Sequence, residues 1–131
     1  MDLLSYYEEL SEGVISGVNN LRSVPSQIQT AHLPCKYVKY GSTTFGISSL
    51  DNGMGLPLHT FDIVFLIEPV GQNNNILNQI AVLNISSLIY GYLDAIENIL
   101  TVESNTLIIV INGINYWGFV VTVTILGITG N

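Results

Sequence analysis

The chain has 131 residues, 10% of them charged and 48% hydrophobic, with a net charge of −7. Ordinary soluble domains are roughly 25% charged, so a free monomer would have little charge with which to cover its surface. The three basic residues, Arg22, Lys36 and Lys39, are too few to neutralise phosphates, which excludes tight nucleic-acid binding.

A single cysteine, Cys35, excludes an intrachain disulfide, and the length suits one domain over residues 1–131 with an ordinary core. The start, MDLLSYYEEL, has acids where a signal peptide has a basic region, so the expected compartment is the cytoplasm.

Along the chain, Leu3, Tyr7, Leu10, Val14, Val18 and Leu21 recur at three- and four-residue steps. The spacing predicts an amphipathic helix over 3–22 with Asp2 capping its start, weakened by Gly13 and Gly17 and ended by Pro25. A polar connector leads to HLPCKYVKYG, where a first strand is expected from Cys35 to Tyr40.

GSTTFGISSLDNGMGLP then forms a long Gly- and Ser-rich loop over 41–57, with room for a short strand at Thr43–Ile47. Loops of that length inside compact domains are usually functional or disordered. Phe45, Ile47, Met54 and Leu56 are poor solvent-facing residues, which makes this loop a candidate contact with a neighbouring subunit or tube.

HTFDIVFLIEP alternates strictly: Phe61, Ile63, Phe65 and Ile67 on one face, Thr60, Asp62, Val64, Leu66 and Glu68 on the other, with Pro69 as its end. After VGQNNN, a helical stripe over 76–100 runs through Leu77, Ala81, Ile85, Leu88, Tyr92, Ile96 and Ile99, widened by Ile80, Leu83 and Ile89. A stripe this wide predicts burial on more than one side.

No Lys, Arg, Asp or Glu occurs from Ser104 to Asn131. A membrane helix needs about 20 mostly apolar residues in no required order. Here Trp117, Phe119, Val121, Val123 and Ile125 alternate with Tyr116, Gly118, Val120, Thr122, Thr124 and Leu126. Asn112-Gly113 is the pair that most readily forms a type I′ turn, so the segment reads as a β-hairpin. Trp117 is then a core aromatic and Tyr116 a partner-facing one.

The order α-β-β-α-β-β predicts a two-layer α+β fold, a four-stranded mixed sheet with two helices covering its apolar face. The other face is left outside, with Asp62, Glu68, Thr122 and Thr124 as a candidate lumen or intersubunit wall.

A search for chemistry finds no catalytic, cofactor or metal constellation. His32, Cys35 and His59 are the nitrogen and sulfur candidates, and they read as ordinary loop histidines and a half-buried thiol. Gly53-Met54-Gly55 lacks the third glycine and the helix of a dinucleotide loop, and the sequon at Asn84 sits inside a helical pattern.

An N-terminal helix, the Leu33-Pro34-Cys35 lead-in, a long Gly-rich loop, the strand TFDIVFLIEP, a long helix and the closing hairpin NGINYWGFVVTVTI together resemble the tail terminator, or tail completion, proteins of tailed bacteriophages. The resemblance covers almost the whole chain and is one of order and pattern.

The family implies a non-enzymatic virion subunit, made in the host cytoplasm and assembled as a homo-oligomeric ring, usually a hexamer. That ring caps the tail tube protein and meets the head-side connector or neck protein, with DNA passing through its lumen and no cofactor. Other expectations are a different neck or tail ring, such as a head-tail connector or adaptor, a small acidic dimeric binding module, and an inner-membrane protein.

Overall fold

The computed structural model describes residues 3–15, 17–21, 24–47, 54–70, 80, 83–85, 87, 91, 93 and 99–126. Helix α1 (Leu3–Glu12) is followed by β1 (Asn19–Asn20), a 3-10 turn (Thr30–His32), β2 (Cys35–Ile47), β3 (Met54–Pro69), β4 (Ile99–Ile111) and β5 (Ile114–Leu126). The strands form one sheet in the order β1-β2-β3-β5-β4, with β1 parallel to β2 and every other pair antiparallel. The architecture is α+β with a mixed sheet of five strands instead of four, β1 being the addition.

The first helix is half as long as its periodicity implies. It stops at Glu12, the Gly13 amide closing the last turn on the Glu9 carbonyl, and Gly17 takes a positive φ of 81°. Glycine costs a helix interior about 1 kcal/mol, and the chain here gains sheet bonds instead. Asn19 N–H donates to Pro34 O and Leu21 N–H to Lys36 O, which fixes β1 beside β2. Tyr6 and Leu10 bury the inner side of α1, while Ile15 goes inward in place of Val14, which is exposed.

β2 and β3 reach well beyond their expected ends. The 41–57 stretch, read from sequence as a loop with room for a short strand at Thr43–Ile47, is strand over 41–47 and 54–57, with Phe45 paired to Pro57 and Ile47 to Met54. A register shift at Gly41 lets β2 continue past Tyr40. Residues 48–53 lie outside the described residues.

Residues 80, 83–85, 87, 91 and 93 are helical, and Ile85 and Leu93 are buried. Ile80 and Leu83, expected to widen the buried stripe, are exposed, and Ile99 starts β4 instead of ending a helix. Leu77, Ala81, Leu88, Ile89, Tyr92 and Ile96 of that stripe lie outside the described residues. Among the described residues no helix is long and apolar enough to cross a membrane. The closing hairpin turns at Asn112 (φ 51°) and Gly113 (φ 75°), both positive as a type I′ turn requires.

Each face of the sheet carries a core. On one, Phe61, Ile63, Phe65 and Ile67 of β3 and Phe119, Val121, Val123 and Ile125 of β5 pack with Tyr6, Leu10, Ile85 and Leu93 from the helical segments. Phe65 and Phe119, directly paired, stack at 4.5 Å and 5°. On the other face Cys35, Tyr37, Val64, Leu66, Ile111 and Tyr116 form a second core, against which Leu21, Ile28 and Leu33 pack. The expectation that this face lies outside is therefore corrected at these residues, where Leu21, Ile28 and Leu33 from the connector before β2 pack on it.

Candidate functional site

Cross-strand register assembles what remains of the second face. Paired residues share a face, so reading across β2, β3, β5 and β4 gives two polar rows: Lys39–Asp62–Thr122–Glu103 and Ser42–Thr60–Thr124–Thr101. They lie beyond the second core, toward the β2–β3 hairpin end. Thr122 Oγ1 donates to Asp62 Oδ1 at 2.8 Å, and the Ser42 and Thr60 hydroxyls meet at 3.1 Å. Asp62, Thr60, Thr122 and Thr124 are half-buried and Lys39 and Ser42 are exposed. The Thr122 hydroxyl holds the Asp62 carboxylate in place on this half-buried surface.

Asp62, Thr122 and Thr124 thus meet as the alternation implied, whereas Glu68 leaves them. A register shift between Leu66 and Glu68 makes Ile67 the extra residue, so Glu68 pairs with Trp117 and takes the helix-covered face. There Glu68 Oε1 and Trp117 Nε1 are both buried without a hydrogen-bond partner.

Tyr116 is corrected as well. It is 2% exposed, within the second core beside Ile111 and Leu66, against which Leu21, Ile28 and Leu33 pack; it is no partner-facing ring in this chain. Of Phe45, Ile47, Met54 and Leu56 the structure describes the backbone, which runs in the paired arms of β2 and β3.

Lys36 escaped the sequence reading, and His59 and Cys35, read there as a loop histidine and a half-buried thiol, are buried in strands. Lys36 is 1% exposed, and its Nζ donates to the Leu10 carbonyl at 3.1 Å, at the C-terminal end of α1 where helix carbonyls lack partners and favour a cation. Burial lowers its pKa to about 8. The signal was present: Lys36 shares the parity of Val38 and Tyr40, on the apolar side of β2.

His59, buried on the helix-covered face, has its Nδ1 2.8 Å from Thr43 Oγ1 and 3.3 Å from Tyr40 Oη, while its Nε2 is buried without a partner. Cys35 is buried in the second core, which pushes its thiol up to about 11. This disfavours the thiolate that nucleophilic chemistry would use.

Among the described residues no three His, Cys, Asp or Glu side chains cluster as a metal site would require. Two shallow clefts flank α1, one of about 250 Å³ lined by Leu3, Leu4, Tyr7, Tyr40 and Phe61, the other of about 350 Å³ lined by Tyr7, Glu8, Ser11, Glu12 and Asn20. Compared with known proteins, the chain matches no family model and no curated protein sequence.

Proposed function

We propose that this chain is a virion structural subunit of a tailed phage, the tail terminator, which assembles as a homo-oligomeric ring, caps the tail tube and joins tail to head. The observation that carries this reading is the sheet itself: a four-strand antiparallel body whose β4 edge, and whose β2 edge beyond the short β1, have no partner strand among the described residues, in a chain with 10% charged residues. Open edges and scarce charge suit a surface that other subunits cover. Exposed apolar residues at the closing hairpin, Ile108, Val110 and Ile114, add to that surface.

In this reading the polar rows around Asp62, Thr122 and Thr124 face the lumen or a neighbouring subunit, and acids there do not hold passing DNA. The β2–β3 hairpin, with Phe45, Ile47, Met54 and Leu56, contacts the tube or the next ring. The subunit needs no cofactor and performs no catalysis.

Deleting the gene tests the proposal. Heads and tubes should still be made, unjoined and with tubes of uncontrolled length, as seen in electron micrographs. Complete particles in the deletion would overturn the assignment, and tails of correct length lacking heads would move the protein to the head side of the joint.

A further inference from the structure

Two strand edges have no partner among the described residues. β4 is the last strand on one side, and β1 covers β2 only at Cys35 and Lys36, which leaves the β2 edge open from Tyr37 onward. Such edges present rows of N–H and C=O groups that another strand satisfies as well as water does. Directions match too: β2, β3, β5 and β4 alternate, so β4 of one copy laid beside β2 of another continues the sheet antiparallel.

The chemistry at the two edges is complementary on both faces. The row Lys39–Asp62–Thr122–Glu103 begins with a base on β2 and ends at an acid position on β4. The adjacent row, Tyr40–Phe61–Val123–Val102, reaches the opposite face. It begins with the Tyr40 ring, 45% exposed, and ends at the half-buried Val102.

We infer that the β4 edge over 99–105 pairs with the β2 edge over 37–43 of a second copy. Glu103 then lies opposite Lys39 and Val102 opposite Tyr40. Cross-strand pairs of opposite charge and of aromatic with β-branched residues stabilise a sheet, and like charges directly opposite destabilise it. Two β2 edges facing each other at this level would oppose Lys39 to Lys39, and two β4 edges Glu103 to Glu103. The head-to-tail contact is the matched one, and repeated it closes a ring or extends a filament. This inference rests on the self-assembling reading above and supplies its surfaces.

The test is oxidative cross-linking of the full chain carrying Lys39→Cys and Glu103→Cys. Antiparallel partners have Cα atoms about 4.5–5.5 Å apart, within disulfide reach, whereas within one chain these positions are three strand spacings, roughly 14 Å, apart. Non-reducing gels should show a ladder of multiples and loss of the monomer band, reversed by reductant, with light scattering giving the mass of the wild-type assembly. Should the double variant fail to fold, a 1:1 mixture of the single variants should give a covalent dimer that neither forms alone. If wild type assembles and no cross-link forms, or if either single variant links preferentially to itself, the edge pairing is overturned while self-assembly stands. A wild-type chain that stays monomeric at every concentration removes self-assembly and the pairing with it.

Discussion

The helix-covered face and the opposite face of the sheet are built from the same four long strands, yet they are finished differently. One is mainly apolar, with Lys36, His59 and Glu68 as its polar exceptions, and is covered by α1 and the helical residues Ile85 and Leu93. The other is divided, apolar where Leu21, Ile28 and Leu33 pack on it and polar where Lys39, Asp62, Thr122 and Thr124 lie. The first face supplies ordinary folding energy, about 1.5–3 kcal/mol for each large apolar side chain fully buried. The second uses connector residues as a roof over its apolar part and leaves the polar rows as surface. A strap anchored by two residues of β1 thus decides which part of an amphipathic face becomes core.

The most severe way to break this comparison is to part β3 from β5, on which both faces depend. Gly118 lies against the Phe65 carbonyl, where an added Cβ would collide with backbone. Gly118→Val should cost at least about 3 kcal/mol and leave little cooperative melting by circular dichroism.

Next come the two cores. Phe119→Ala should cost about 3–5 kcal/mol by removing the stack on Phe65. Tyr116→Ala should cost about 3 kcal/mol in the isolated chain, because the connector buries this ring. A Tyr116→Ala chain that unfolds in denaturant like the parent would show that Leu21, Ile28 and Leu33 do not roof this core.

Gly113→Val forces a β-branched residue into positive φ and should cost about 1–3 kcal/mol, read as a lower melting temperature. The smallest effect belongs to the polar rows. Thr122→Val removes one hydrogen bond to a half-buried carboxylate, about 1 kcal/mol, and should leave the fold unchanged in urea titration. A loss as large as that of Phe119→Ala would make the polar row a third core.

Alternation made the helix-covered face legible, since Phe61, Ile63, Phe65 and Phe119, Val121, Val123, Ile125 repeat with period two. Asn112-Gly113 was equally legible, because few pairs accept two positive φ values in succession. The missed features are non-local. The end of α1 depends on whether residues 13–20 gain more from a helix or from pairing with Cys35 and Lys36, and periodicity at Val14 and Val18 favours the helix.

Half of the candidate site could be read: Thr60, Asp62, Thr122 and Thr124 fall on the mixed faces of their strands by parity alone. Adding Lys39 and Ser42 needed the register of β2 on β3, and removing Glu68 needed a bulge that no local signal marks. Tyr116 was misplaced because its roof comes from a segment some eighty residues earlier in the chain.

Lys36, held under the end of α1, gives this fold a proton inventory. The folded chain releases the Lys36 proton at about 8, whereas an unfolded lysine keeps it to about 10.5. Between those values the unfolded chain binds one more proton, so stability attributable to Lys36 rises with pH across the window and is lost as pH falls through 8. Cys35 acts in the opposite sense from about 9 to 11, where the folded chain keeps a thiol proton that the unfolded chain gives up. Unfolding at pH 8.5 should therefore take up protons from the buffer, and the same chain with Lys36→Met should take up almost none.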